Sequence, residues 1–315
     1  MIQVQKIQAI RLTVTSADQA KNFYTQAFDC KTVSDLIFEG QNYGEVEGLP
    51  GAKIRIVTLL LGNELIRLIE YLNIKGRLIP KDSQSNDLWF QHIAIVVSDM
   101  DHAYTRLQSF PIDPISTQPQ TIPPDNEASA GVRAFKFKDP DRHNLELIWF
   151  PPDKGGDKWH RNNDDRLFLG IDHSAIAVAN TEDSLKFYHD LLGMEVKQAS
   201  LNHGETQAHL DGLSEAKVRV TPLRPIKPSL GIELLDYIVP ENGRLIPHDW
   251  NSADITNVEL ELVVEDIEQG VDLLRENNVE VVSSGVVKFT DEWAPYRQGC
   301  LVKDVNGHAL FLVEQ

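Results

Sequence analysis

Several ionisable side chains lie inside strand-like apolar runs of the sequence, and two histidines and two glutamates among them could ligate a metal. His92 begins HIAIVV, His173 begins HSAIAV, Glu146 lies within LELIW, and Glu233 lies within IELL. Each has an ordinary explanation if taken singly, since a histidine often caps a strand and a glutamate often faces solvent. A carboxylate on a buried sheet face, however, is destabilising unless it is paired or bound to a metal. Two imidazoles and two carboxylates together would suit Zn, Ni, Co, Mn or Fe(II) without selecting among them.

The length and composition predict a soluble globular protein of about two domains, and its net charge suits one that binds small molecules or cations. The net charge of −17 argues against nucleic acid or an anionic membrane as partner, because basic residues are what neutralise phosphates. Cys30 and Cys300 form no motif, so we expect a reducing, cytoplasmic location. The sequence has no signal-peptide pattern, and no run approaches the ~18 apolar residues of a membrane span.

Two sequence segments recur at nearly the same spacing. GRLIP occurs at 76–80 and again at 243–247, an offset of 167 residues. KDPDRHNLEL at 138–147 recurs as KDVNGHALFL at 303–312, an offset of 165 residues. The chain is therefore a tandem duplication, and the sequence predicts two halves over 1–150 and 168–315, joined by a polar linker over 151–167. The aligned turn residues His143 and His308 are expected to make structural hydrogen bonds.

Each half divides again into two similar units. The segment IQAIRLTVTSADQAKNFYTQAF passes from an alternating apolar run through the capping pattern Ser16-x-x-Gln19 into an amphipathic helix. Three other segments repeat this order of strand, cap and helix, and three short strand-like runs follow each helix. The sequence therefore predicts four βαβββ modules, at about 1–78, 87–150, 169–245 and 255–315.

The segments IDHSAIAVANTEDSLKFYHDLLGMEV and KDPDRHNLELIWF carry a resemblance to the vicinal oxygen chelate superfamily. This superfamily includes glyoxalase I, bleomycin-resistance proteins and extradiol dioxygenases, and the resemblance covers essentially the whole chain. It implies an α+β fold of two tandem glyoxalase/bleomycin-resistance-like halves, in which paired modules curve mixed sheets around a metal cavity with helices outside.

The resemblance also implies where metal ligands lie, because the family places them on the first and last strands of each module. Aligning the repeats puts His92 and Glu146 in module two, and His173 and Glu233 in module three. The corresponding residues of modules one and four are Ala9, Arg67, Glu259 and Phe311. Similarity to fused, double-length glyoxalase I enzymes implies that module two pairs with three and one with four. We therefore predict one metal site, and a second, ligand-free site that an Arg67–Glu259 salt bridge could fill.

The function implied by the resemblance is that of a metal-dependent lyase or isomerase of the glyoxalase I type. Such an enzyme removes a proton next to a metal-chelated carbonyl, with Glu146 as first candidate base and Glu233 as second. An extradiol-type dioxygenase is an alternative, although Glu259 and Phe311 stand where that class carries ligands. A non-catalytic binding protein of the bleomycin-resistance type is another. The sequence does not identify the substrate or distinguish a monomer from a homodimer.

Overall fold

Four modules follow one another along the chain, each beginning with a strand and a helix and ending with a strand hairpin. The structure, a computed structural model, describes residues 1–160, 165–241, 243–290, 294 and 296–314. Module one contains β1 (Lys6–Thr13), α1 (Ala17–Phe28), β2 (Lys31–Phe38), α2 (Gln41–Val46), β3 (Ile54–Leu61) and β4 (Glu64–Tyr71). Module two contains β5 (Gln91–Val97), α3 (Met100–Leu107), β6 (Asp113–Pro114), β7 (Gln120–Thr121), β8 (Arg133–Lys138) and β9 (Asn144–Trp149).

The second half repeats this order, with one added helix in module three. Module three contains β10 (Phe168–Val178), α4 (Thr181–Leu185) continued by a π-helical segment (Lys186–Leu191), β11 (Glu195–Val196), β12 (Ser200–His203), α5 (Gly204–Asp211), β13 (Lys217–Arg224) and β14 (Gly231–Val239). Module four contains β15 (Val258–Val263), α6 (Ile267–Glu276), β16 (Glu280–Val281), β17 (Val287–Lys288), β18 (Gln298–Lys303) and β19 (Ala309–Glu314). A 3-10 turn over Asp157–Trp159 lies between the halves. No helix in the described part of the chain is both long and apolar enough to cross a membrane.

A side-chain cap begins the first helix of every module. The Ser16 hydroxyl accepts a hydrogen bond from the Gln19 amide, as the sequence pattern predicts. The equivalent caps of the other modules are Asp99, Asn180 and Asp266. Each cap satisfies an amide at the helix N-terminus that has no partner within the helix. The start of the first helix in each module is thus specified locally, by a capping residue of the same module.

The strands form two large sheets, and each sheet takes one module from either half. One sheet has the order β16-β18-β19-β15-β1-β4-β3-β2, and the other has the order β11-β13-β14-β10-β5-β9-β8-β6. Modules one and four meet where β1 pairs antiparallel with β15, and modules two and three meet where β5 pairs antiparallel with β10. The predicted α+β fold is confirmed. The chain division at 151–167 stays a prediction, and residues 161–164 of that linker lie outside the described residues.

Buried hydrogen bonds hold the turn before the last strand of modules two and four. The Tyr24 hydroxyl donates to Asp139 Oδ2 at 3.1 Å, and His143 Nδ1 lies 3.1 Å from the same oxygen. The His143 Nε2 atom lies 3.0 Å from the carbonyl oxygen of Thr13 in module one. The second half repeats the arrangement with Tyr188, Asp304 and His308. The structural role expected for His143 and His308 is therefore confirmed.

The repeated GRLIP segments fasten the partner modules of each sheet together. Arg244 of module three makes two hydrogen bonds of 2.7 Å to the carboxylate of Asp87, next to module two. Arg77 of module one bonds in the same way to Asp254, next to module four. The glycine before each arginine lies against backbone of the partner segment, and a Cβ on Gly243 would come within 1.7 Å of the Asn86 carbonyl oxygen. The close approach of the partner backbone thus leaves no room for a side chain at either glycine.

Replacing Gly243 by alanine is expected to destabilise the protein by roughly 1–3 kcal/mol, the usual effect of overpacking a close contact. Urea unfolding followed by circular dichroism would measure this. Gly270 is the matched control, because it lies in α6 and its added Cβ would meet only ordinary contacts, at 3.5 Å from Ile2. Gly270→Ala should be neutral or stabilising by roughly 0.5–1 kcal/mol. An unfolding midpoint of Gly243→Ala equal to that of the wild type would contradict the prediction.

Candidate metal centre

The four residues singled out in the sequence converge on one face of the sheet formed by modules two and three. His92 of β5 is the cross-strand partner of Ala175 in β10, and Ala175 is the partner of Glu233 in β14. Ala94, two residues beyond His92, is the partner of Glu146 in β9. Because side chains two residues apart share a face, all four polar groups lie on the same side of the sheet, around two small alanines. Together they line a cavity of about 330 Å³.

Three of these residues form a tight group. His92 Nε2 lies 3.3 Å from Glu146 Oε2, and His173 Nε2 lies 3.9 Å from the same oxygen. The candidate ligand atoms of His92, Glu146 and His173 all lie within 4.8 Å of one another. Glu233 lies at the edge of this group, with its Oε2 atom 3.4 Å from His173 Nε2. Its side chain is 20% exposed, whereas that of Glu146 is 7% exposed.

The donor set fits a divalent metal ion. The His92 ring is buried, and although its Nε2 atom lies 3.3 Å from Glu146 Oε2, neither ring nitrogen has the geometry of a hydrogen bond to the described residues. Burial lowers the pKa of His92 to about 4, so the ring is neutral at pH 7, as a metal ligand must be. Burial opposes ionisation of Glu146, but His92 and Lys136 outweigh it and lower the pKa of that carboxyl. A buried imidazole without hydrogen bonds beside an ionised carboxylate is the expected arrangement of metal ligands.

His173 is oriented by a neighbour that sequence reasoning missed. Its Nδ1 atom lies 3.0 Å from Asp172 Oδ2, and Arg224 and Trp159 donate to the same carboxylate at 2.9 and 3.1 Å. This pairing assigns the proton to Nδ1 and leaves Nε2 facing Glu146 and Glu233. Carboxylates that orient ligating histidines in this way are a common feature of metal sites.

A β-bulge explains why Asp172 and His173, adjacent in the sequence, both line the cavity. Consecutive strand residues normally point to opposite faces of a sheet. The register between β10 and β5, however, shifts between Ile171 and His173, which is the mark of a bulge. Two neighbouring polar residues, Asp-His, at the start of an apolar strand were the available signal. Strict alternation would have placed Asp172 on the opposite face.

The equivalent face of the sheet formed by modules one and four is filled by buried ion pairs. Arg67 Nε donates to Glu261 Oε2 at 2.8 Å, and Arg11 Nη1 lies 3.0 Å from Glu259 Oε2. Arg11 also pairs with Glu47, and its guanidinium lies 3.9 Å from the centre of the Phe311 ring. Arg11 and Glu261 thus stand at the positions where the other sheet has Ala94 and Ala175.

The predicted Arg67–Glu259 salt bridge is therefore wrong in its partners. Arg11 lies between the two residues in the sheet, because it is the cross-strand partner of Glu259 on one side and of Arg67 on the other. Arg11 pairs with Glu259, and Arg67 pairs instead with Glu261, which is the cross-strand partner of Ala9. The sequence alignment located the right positions of this second site but overlooked the arginine between them.

A family model described as the Glyoxalase/Bleomycin resistance protein/Dioxygenase superfamily matches residues 6–147 and 170–310. Among solved structures, glyoxalase I from Zea mays superposes with a TM-score of 0.62 at 15% identity, over 98% of this chain and 92% of that chain. A putative dioxygenase from Bacillus subtilis superposes with a TM-score of 0.58 at 12% identity, over 100% of this chain and 86% of that chain.

A sequence comparison with curated proteins finds no match. At such low identities the solved structures show the fold alone, and the two matched ranges of the family model carry the assignment. This protein belongs to the Glyoxalase/Bleomycin resistance protein/Dioxygenase superfamily, the vicinal oxygen chelate fold that the sequence resembles.

Proposed function

We propose that this protein is a metal-dependent lyase or isomerase of the glyoxalase I type, with a single active site shared by modules two and three. The observation that carries the proposal is the tight group of His92, Glu146 and His173 inside a cavity large enough for a small substrate. The other sheet has buried Arg–Glu pairs in the equivalent place. A bound Zn, Ni, Co, Mn or Fe(II) ion would polarise a chelated carbonyl and stabilise the negative charge that develops on its oxygen.

The side chains then take distinct roles. His92, Glu146 and His173 hold the metal, Asp172 keeps His173 in the required tautomer, and Glu233 completes the set of candidate ligands. We assign proton abstraction first to Glu233, because its carboxylate lies at the edge of the tight group and is the more accessible of the two glutamates. Glu146 faces both histidines, which makes it the second candidate. The geometry thus favours the opposite order from the one that the sequence suggested.

A second candidate function is supported by the ligand types. Two histidines and one carboxylate with open positions are also the set that binds Fe(II) in oxygenases. The reaction would then be oxygen-dependent cleavage of a catechol, and Glu233 would lie outside the metal ligands. If the metal-loaded cavity catalyses neither reaction, the remaining reading is a binding protein of the bleomycin-resistance type.

One experiment separates these possibilities. Protein loaded in turn with each candidate metal is incubated in D2O with methylglyoxal premixed with glutathione or with 2-mercaptoethanol, and NMR follows deuterium incorporation. We expect the metal-loaded protein to catalyse proton exchange, and the protein from which a chelator has removed the metal not to catalyse it. Oxygen uptake with catechol and Fe(II), in the absence of exchange, would favour the dioxygenase. Tight metal binding with neither activity on any tested compound would contradict the proposed reaction.

A further inference from the structure

A buried lysine lies beside the candidate metal centre and has no role in holding the metal. Lys136 in β8 is 3% exposed and lines the same cavity as Glu146 and Glu233. It is the direct cross-strand partner of Glu146, so its side chain begins within about 5 Å of that residue. Its Nζ atom donates to Asp211 Oδ1 at 2.6 Å. An ammonium has three N–H donors, and this bond accounts for one of them.

The fold does not require a cation at this position. Each module has an equivalent residue, namely the cross-strand partner of the last-strand ligand position. These equivalents are Thr58 opposite Arg67, Pro222 opposite Glu233, and Leu301 opposite Phe311. The other three modules therefore have a threonine, a proline and a leucine at this position. Burying an ammonium and its carboxylate carries a desolvation penalty that a hydrophobic residue would avoid, so the lysine needs a separate explanation.

The partner of Lys136 is held so that the ammonium stays at the cavity wall. Asp211 is the last residue of α5 in module three, and its side chain is fully buried. Its second oxygen accepts a hydrogen bond from Gln207 Nε2 at 2.7 Å. The carboxylate is thereby held through both of its oxygens, one by Lys136 and one by Gln207. This arrangement keeps a positive charge at the wall of the cavity that Glu146 and Glu233 also line.

We propose that Lys136 binds an anionic oxygen of the substrate, so that the site takes small organic acids whose carboxylate lies against this ammonium. The proposal rests on the proposed function in one respect, since it places the substrate at the metal. A bound divalent ion would offset the charges of Glu146 and Glu233, and Arg224 pairs with Asp172 at 2.9 Å. The substrate carboxylate would share the Lys136 ammonium with Asp211, using the N–H donors that the bond to Asp211 leaves over.

The test uses oxalate, a small dianion with adjacent oxygens, titrated calorimetrically into the Co²⁺-loaded and the metal-free protein. We expect Lys136→Met to weaken oxalate binding by about tenfold or more, the value of a lost charged hydrogen bond, and Lys136→Arg to retain most of the affinity. Lys138→Met is the matched control: Lys138 is also in β8 and mostly buried, but its Nζ bonds to the Ser83 carbonyl outside the cavity lining. It should leave the affinity unchanged.

The outcomes distinguish this proposal from the function proposed above. Equal oxalate affinity in Lys136→Met and wild type would overturn it, and so would a wild type that binds oxalate in neither form. If the wild type binds no metal but Lys136→Met still loses oxalate affinity, the anion site stands and the metal-dependent function fails. If Lys136→Met does not fold, Asp211→Asn tests the same point. Releasing the ammonium from its partner should tighten oxalate binding, and unchanged or weaker binding would overturn the proposal.

Discussion

Replacing either His92 or His173 by alanine is expected to leave the protein without bound metal. The wild type, purified without chelators, should contain about one divalent ion per chain. The two histidines lie in different halves of the sequence but face the same Glu146 oxygen, at 3.3 and 3.9 Å. Removing one imidazole leaves too few donors for a stable site. Elemental analysis of the purified variants would measure the metal content.

The histidine experiment also tests whether the site is shared. If each half bound its own metal, either substitution would leave one ion in place, and that result would contradict a single site between modules two and three. His102→Ala is the matched control, since His102 lies exposed on α3 and should keep the full metal content. Asp172→Asn should give an intermediate result, with metal affinity reduced about 10–100-fold, because it loosens His173 without removing a ligand.

The positions of the four candidate ligands could be predicted because they depend on features that repeat in the sequence. Strand alternation, the helix cap that follows each first strand, and the repeat offset together place His92 and His173 at equivalent points of their modules. Side-chain direction in a regular strand follows from counting residues. The pairing of modules two and three came from resemblance, and the β5–β10 register then explains how residues 81 positions apart come to share a cavity.

What the sequence did not predict depends on irregular or long-range geometry. Asp172 faces the cavity only because a bulge interrupts the alternation of β10, and the Asp-His pair that hints at the bulge does not say which residue changes face. Lys136 becomes a cavity residue only when β8 pairs with β9 and α5 brings Asp211 against it. Arg67 bonds to Glu261 because Arg11 already occupies Glu259. Each of these contacts depends on which side chains are neighbours in the folded protein. Counting residues along one strand does not show those neighbours.

Replacing Glu233 by glutamine is expected to lower the rate of proton exchange by about 10²–10⁴-fold while the metal stays bound, because an amide cannot accept the substrate proton. Glu233 is suited to this role by position: its Oε2 atom lies 3.4 Å from His173 Nε2, at the accessible edge of the ligand group. Deuterium incorporation by the metal-loaded variant, compared with its metal content, would measure both effects. Glu146→Gln should behave differently and lose metal, since Glu146 faces both histidines.

Glu205→Gln is the control for removing a carboxylate from module three, because Glu205 lies on α5 with a side chain that is 87% exposed. It should retain both metal and exchange activity. Full exchange activity in Glu233→Gln, together with lost exchange and retained metal in Glu146→Gln, would return the role of base to Glu146. The two glutamates therefore have opposite expected signatures, metal retained without exchange for Glu233 and metal lost for Glu146. That contrast separates a proton acceptor from a ligand within one shared cavity.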